Sequence, residues 1–292
     1  KAKKIIYDKA KKNIYYQNAT LKIYDIPIFY FPRFFHPDPT VKRQSGFLIP
    51  KFSDSSSAGT SLQIPYFKVL ADNKDLTFSP RIFADQKLIL QNEYRRVEKN
   101  YDHIMDVGIF TSALSNEQQT SKSHLFSNTK FEFNNNVFQE SDLQVNLEHV
   151  TNDTYLKKYK INSPLIKSET VMHTFLEYNG YNDESSLNFS VESYEDLTKN
   201  SHDRYEFIYP DITYSKDLEK NFNLDGLLNL SSNVYQKQFN TNQYQQTLTN
   251  DLIYSSPIKF TKYGIKKDYQ FLIKNHNERN KTGSKNENNS AN

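Results

Sequence analysis

Side chains that commonly carry out chemistry are present in this chain, but they do not form a catalytic pattern. The 292 residues contain no Cys, which excludes thiolate catalysis and Cys-based zinc sites. There is no Gly-x-Ser-x-Gly elbow and no Gly-rich phosphate loop. His36 and Asp38 stand together in His-Pro-Asp-Pro, but two potential ligands are too few for a metal site. We therefore predict no enzyme activity, no metal and no cofactor.

The segment 24–50 is rich in proline and separates two different kinds of sequence. Residues 13–35 are densely aromatic and β-branched, and five of the ten prolines of the chain follow or overlap them: Pro27, Pro32, Pro37, Pro39 and Pro50. Proline fixes φ and removes a hydrogen-bond donor, so the segment favours a stiff connector rather than a helix or a central strand. We expect a domain boundary near residues 36–45.

The elements that must position the remaining residues are strands. From residue 45 onwards apolar and polar residues alternate, clearly so in 143–148, 187–192 and 222–230. A period of 2 predicts strands with one apolar and one polar face. We count about twelve strands on this pattern, longer than the common length of about 5–6 residues. No stretch has a convincing period of 3.6, so we expect little helix.

Composition narrows the class of protein without deciding it. Net charge is only +3, which argues against a dedicated nucleic-acid partner. The chain has no run of about 18 apolar residues, so no transmembrane helix is predicted. No signal peptide is visible. The 21 Tyr and 21 Phe residues argue against disorder. Long strands with one polar face suit either a soluble β-protein or a transmembrane barrel, and the pattern alone leaves both open.

Residues 24–50 read YDIPIFYFPRFFHPDPTVKRQSGFLIP. This stretch closely resembles the lipopolysaccharide-assembly outer-membrane protein family (LptD, also called OstA). The similarity continues through 63–67, 71–81 and 90–95, and Tyr209–Tyr214 looks like a strand from the middle of the family's barrel.

The resemblance implies an all-β fold: the end of a β-jelly roll followed by part of a large antiparallel transmembrane β-barrel. Residues 1–40 would be the C-terminal part of the periplasmic jelly roll. Residues 41–292 would be the N-terminal part of the outer-membrane barrel, with about twelve strands and incomplete. We therefore expect the chain to be an internal fragment of a longer protein.

The resemblance also implies a function, which is transport and assembly of lipopolysaccharide at the outer membrane. The lipid would pass from the periplasmic jelly roll through a lateral barrel seam to the outer leaflet. Partners would be lipopolysaccharide, a plug lipoprotein (LptE), a periplasmic bridge protein (LptA or an equivalent) and the bilayer, with no nucleic acid. Two alternatives stay open: another outer-membrane or surface β-protein with a binding or porin role, and an outer-membrane lipid hydrolase.

Pro50 and Pro65 are the candidate lateral gate. They fall in the first and second predicted barrel strands, where neither can donate a ladder hydrogen bond. A barrel that opens sideways needs a seam with fewer cross-strand bonds, and each is worth about 0.5–1.5 kcal/mol net. In the resembling family, prolines at the matching positions are associated with lateral gating. The alternative is that proline is simply tolerated where a strand begins.

Five residues are candidates for contact with the lipid. Phe29 and Phe31 would offer apolar surface to acyl chains, and Arg33, Lys42 and Arg43 would attract an anionic head group. Each has an ordinary alternative, as a core aromatic of the jelly roll or as a solvated loop charge.

Overall fold

The computed structural model describes residues 1–10, 12–23, 25–38, 40, 43–112, 121–200, 203–218, 225–239 and 243–281. Most of these residues lie in strands, which confirms the all-β fold. The one helix in the described ranges, α1 (Tyr155–Tyr159), has 5 residues. None of the described helical structure is long and apolar enough to cross a membrane.

The described residues form three antiparallel sheets. The first 37 residues form a three-stranded sheet in the order β1-β2-β3: β1 (Ala2–Asp8), β2 (Asn13–Ile23) and β3 (Ile26–Pro37). A two-stranded ribbon lies near the end of the chain: β18 (Lys259–Phe260) and β19 (Lys266–Lys267). The assignment of 1–40 to a jelly roll and 41–292 to a barrel stays a prediction.

The large sheet contains 15 strands, most of which pair with the next strand along the chain. Its strands are β4 (Gly46–Phe47), β5 (Lys51–Ser53), β6 (Ser61–Gln63), β7 (Tyr66–Ala71), β8 (Lys74–Phe83), β9 (Leu88–Glu98), β10 (Tyr101–Thr111), β11 (Ser121–Phe133), β12 (Glu140–Val150), β13 (Val171–Tyr181), β14 (Ser185–Asp196), β15 (Tyr205–Leu218), β16 (Leu227–Phe239), β17 (Tyr244–Ser255) and β20 (Gln270–Lys281). The connections 72–73 and 99–100 are tight, whereas 84–87 and 151–170, at the opposite end of the sheet, are longer.

The two faces of the large sheet differ sharply in polarity. Cross-strand register aligns Val145 with Leu176 and Val191 on one face, and Val234 with Leu248 farther along. The side chains of these five residues are 37–40% exposed. The opposite face carries aligned polar residues: Glu177, Ser190, Asp211, Asn188, Thr213, Asn233 and Thr249. The apolar face is therefore uncovered along these strands, which is the reverse of a sheet in a soluble protein.

The hydrophobic core lies against the polar face, beneath the connection 151–170. Tyr155 and Leu156 of α1 are fully buried, and Tyr159 is nearly so. They pack in one cluster with residues from six strands and two loops: Phe83, Ile89, Phe110, Phe126, Val150, Ile161, Met172 and Leu197. We call residues 151–170 the α1 segment. Its apolar side chains explain why part of an otherwise polar face is dry.

Gly108 makes room for a buried ring beneath α1. His124 lies directly over Gly108, so that a Cβ at position 108 would overlap the imidazole. The ring also stacks on Phe126 with centroids 4.6 Å apart. Any side chain at 108 must therefore displace His124.

We expect Gly108→Ala to lower the free energy of unfolding by about 1–3 kcal/mol, the usual cost of overpacking a core. Denaturant titration of the folded protein measures this. Gly46→Ala is the matched control, because a Cβ there meets no atom within 4 Å, and we expect a change of less than about 0.5 kcal/mol. Equal effects at both positions would contradict the packing described here.

Candidate gate at the first hairpin

The first hairpin of the large sheet, residues 46–71, is interrupted on both of its passes at the predicted prolines. Pro50 falls between β4 and β5, and Pro65 falls between β6 and β7. In the described part of the chain, β4 pairs with β7 alone and β5 with β6 alone. The interrupted first pass is therefore an outer edge of the described sheet.

The register between the two passes shifts by one residue across the interruption. Phe47 is paired with Tyr66, and Lys51 is paired with Gln63. Four steps along the first pass thus face three along the second, which is the signature of a β-bulge. The extra residue reverses the alternation, so Phe47 contacts the Tyr66 ring at 5.0 Å whereas Lys51 lies on the polar side.

Few backbone hydrogen bonds cross the interruption. Leu48 donates its N–H to the Pro65 carbonyl at 2.9 Å, and Ile64 donates to the Pro80 carbonyl at 3.1 Å. Pro50, Pro65 and Pro80 have no N–H, so three successive passes each lack one donor at this level. The ladder is consequently weaker here than along β9 to β12, whose pairing is continuous.

A cavity of about 440 Å³ lies beside the interruption on the polar face. Lys51, Arg81 and Lys160 supply positive charge to its lining, and Glu93 supplies negative charge. Apolar residues also line it: Leu48, Ile49, Pro65, Ile89, Ile161 and Pro164. Ile49 is 85% exposed, so the apolar lining is continuous with the outer surface at the edge of the sheet.

A buried polar cluster holds α1 against the sheet close to this cavity. His124 Nδ1 lies 3.2 Å from the Tyr155 hydroxyl, and His124 Nε2 lies 3.4 Å from Asp106 Oδ1. Gln91 donates to Asp106 Oδ2 at 2.8 Å and to the Asn162 carbonyl at 3.0 Å. Burial and the nearby Asp106 carboxylate raise the pKa of Tyr155, so its hydroxyl keeps its proton.

The start of the α1 segment is fixed by a charged contact. Arg204 donates to both carboxylate oxygens of Asp153, at 2.7 and 3.0 Å, and to Glu195 at 2.7 Å. Hydrogen bonding to Arg204 lowers the pKa of Asp153.

Sequence reasoning missed the α1 segment. A signal was present in the closely spaced apolar residues Leu156, Ile161, Leu165 and Ile166.

The five candidate lipid residues do not form one cluster among the described residues. Phe31 is partly exposed and packs on Phe34 at 5.8 Å, and Arg33 is exposed opposite Gln17 in the same small sheet. The side chain of Phe29 and the whole of Lys42 lie outside the described residues.

Arg43 binds a buried carboxylate rather than facing solvent alone. Its guanidinium donates to Asp75 and to the Asp72 carbonyl, the latter at 2.6 Å. Arg95 donates to the second Asp75 oxygen at 2.8 Å. The Asp75 side chain is only 8% exposed, so two arginines neutralise a desolvated charge. Gln44 donates to Asn13 at 2.7 Å, which joins the connector to the small sheet as well.

Comparison with known proteins supports the resemblance from the sequence, although no family model matches the chain. The LPS-assembly protein LptD of Pseudomonas aeruginosa is 40% identical over 89 residues, 30% of this chain and 10% of the relative. LptD of Pseudomonas fluorescens is 38% identical over 105 residues (36% and 10%), and that of Psychrobacter cryohalolentis is 39% identical over 103 residues (35% and 10%).

The resemblance to LptD is confirmed. The matched part of the chain covers about a tenth of the length of these relatives. Each of these relatives is named an LPS-assembly protein.

We expect Asp75→Asn to free Arg43 and to raise the rate of trypsin cleavage after Arg43 roughly tenfold. A charge-assisted hydrogen bond is worth about 1.5–3 kcal/mol, and each 1.4 kcal/mol is about a factor of ten. Limited digestion followed by mass spectrometry measures the rate. Asp85→Asn, at an exposed carboxylate paired with Lys87, is the control and should leave cleavage at Arg43 unchanged. No increase for Asp75→Asn would show that the pair does not hold the connector.

Proposed function

We propose that this chain is part of an outer-membrane protein that transports and assembles lipopolysaccharide, and that the interrupted first hairpin is one side of the seam through which the lipid leaves. The observation that carries the proposal is the combination, on one sheet, of an uncovered apolar face and a ladder broken at Pro50 and Pro65. We propose lipopolysaccharide as the lipid because the relatives are named LPS-assembly proteins.

The polarity of the sheet supports a place in a bilayer. In water, the uncovered apolar face would cost about 25 cal/mol for each Å² of apolar surface. Lipid removes this cost, while the polar residues of the opposite face suit a wet lumen. We accordingly propose that residues 41–292 belong to a transmembrane barrel and residues 1–40 to a periplasmic jelly roll.

The interruption supports lateral opening. A closed barrel has no free edge, so a lipid can leave sideways only where strands separate. Missing donors at Pro50, Pro65 and Pro80 remove bonds worth about 0.5–1.5 kcal/mol each in water. Separation at this hairpin consequently breaks fewer bonds than it would between the continuously paired strands β9 to β12.

The lining of the cavity matches both parts of an anionic lipid. Lys51 and Lys160 suit phosphate groups, and the exposed apolar residues Leu48 and Ile49 suit acyl chains. Phe29, Phe31, Arg33 and Lys42 remain proposed contacts on the periplasmic side. Arg43 would have to leave Asp75 to bind a head group.

The proposed partners follow from this path. An LptA-type bridge would deliver lipid to the small sheet, and an LptE-type lipoprotein would occupy the polar face that the α1 segment leaves uncovered. Both are carried over from the family resemblance.

We expect the double variant Pro50→Ala and Pro65→Ala in the full-length protein to slow lipopolysaccharide export, because two restored N–H groups tighten the seam. The measurement is the rate at which newly made lipopolysaccharide becomes accessible at the surface of cells that carry the variant as their only copy. Pro257→Ala, in the connection after β17, is the matched control. Unchanged surface lipopolysaccharide at normal protein levels would sink the gating role of the prolines.

We expect Leu248→Arg to destabilise the protein in lipid vesicles by about 2–4 kcal/mol, as a cation on a lipid-facing strand does. Thr249→Arg, one residue along β17 on the polar face, should cost less than about 1 kcal/mol. Urea titration in vesicles compares the two. If the order is reversed, the apolar face does not meet lipid.

A further inference from the structure

We propose that the α1 segment is a latch that holds the interrupted first hairpin against the polar face of the sheet, and that Arg81 is its positioning residue. The inference deepens the proposed function and rests on it for the consequence that release of the latch opens the lipid path. The contacts themselves are independent of that function.

One side of the latch, the packing of α1 on the sheet, is firm because it is an apolar core. Tyr155, Leu156 and Tyr159 are buried in the apolar cluster against β8 to β13. The polar cluster of Asp106, His124 and Tyr155 lies within the same dry region. Removing α1 from the sheet would expose this apolar surface and leave buried polar groups without partners, so we infer that α1 stays on the sheet when the hairpin moves.

Arg81 connects this firm side to the hairpin. From β8, its Nε donates to the Ser61 hydroxyl of β6 at 2.9 Å, and its Nη1 donates to the Tyr159 carbonyl of α1 at 2.5 Å. The residue is only 8% exposed, and no acidic side chain in the described ranges forms a salt bridge with it. One guanidinium thus joins β6, β8 and the C-terminal end of α1.

A second, weaker contact lies at the tip of the hairpin. The Ser57 hydroxyl donates to the Lys158 carbonyl at 3.1 Å, and Ala58 packs on the edge of the apolar cluster. Among the described residues, the hairpin is joined to α1 by the hydrogen bonds of Ser57 and Arg81 and by the packing of Ala58, whereas α1 and the sheet share an apolar core. Hydrogen bonds are exchanged for water at a small net cost, so the hairpin side separates first.

Release at this side has a defined structural consequence. The cavity lies between the hairpin and residues 160–164 of the α1 segment, with Lys51 and Gln63 on one side and Lys160 on the other. Movement of β5 and β6 away from α1 widens the cavity towards exposed Leu48 and Ile49. The latch therefore controls whether the cavity on the polar face is open to the edge of the sheet.

Hydrogen–deuterium exchange on the full-length protein in lipid vesicles tests the latch directly. We expect Arg81→Met to raise amide exchange in residues 46–71 about tenfold while exchange in β15 to β17 is unchanged. Arg81→Lys, which keeps the charge and one of the two contacts, should restore part of the protection. Asn233→Ala is the control, because Asn233 is on the same polar face but bonds to Asp211 and Thr213. No rise in 46–71 with Arg81→Met would overturn the proposal.

A covalent lock keeps the proposal testable if Arg81→Met does not fold. Ser57→Cys with Lys158→Cys places two thiols at the tip contact in a stretch of 292 residues with no other Cys. We expect the disulfide to slow exchange in residues 46–71 and to block surface delivery of lipopolysaccharide, with both effects reversed by reductant.

The two readouts separate the two proposals. If the locked protein exchanges in residues 46–71 as fast as the reduced protein, the latch is overturned. Slowed exchange with normal lipopolysaccharide delivery would support the latch and overturn the role of the hairpin as the lipid exit.

Discussion

The cross-strand hydrogen-bond ladder of the large sheet is the interaction on which the rest of the structure depends. Long pairing from β8 to β17, with register shifts only on the two sides of β15, satisfies most of the backbone without help from solvent, and this allows one face to be apolar and uncovered. The same ladder defines where the structure can yield. At Pro50 and Pro65 the pairing stops, the register slips by one residue, and the alternation of side chains reverses.

Side chains on the polar face stabilise the first hairpin, where the hydrogen-bond ladder is weak. The α1 segment places an apolar cluster and a buried Asp106–His124–Tyr155 group over β8 to β13, and Arg81 extends this support to β6. The interrupted hairpin is consequently held by side chains where the backbone cannot hold it. Such an arrangement allows local opening without loss of the remaining sheet.

Polar contacts next to the first hairpin hold residues 43–44 of the connector to both sheets. Asp75 accepts from Arg43 and Arg95, and Gln44 reaches Asn13. The connector expected to bind lipid is therefore tied first to the protein itself. A lipid head group competes with a buried carboxylate for Arg43, so its arrival would alter how the two sheets are joined.

The sequence by itself determined the all-β class, the alternation of faces, the small amount of helix and the resemblance to LptD, because period-2 patterning and local motifs are written in consecutive residues. It also singled out Pro50 and Pro65, but placed them within the first two barrel strands, whereas each lies in a break between two short strands. Only the tertiary structure decided the bulge between them, the burial of Tyr155 in the connection after β12, and the partners of Arg81 and Arg43. The hydrogen bonds of Arg81 and Arg43 join residues 20 to 78 positions apart. Strand and helix patterns repeat over about two to four residues, so they carry no information about contacts at such separations.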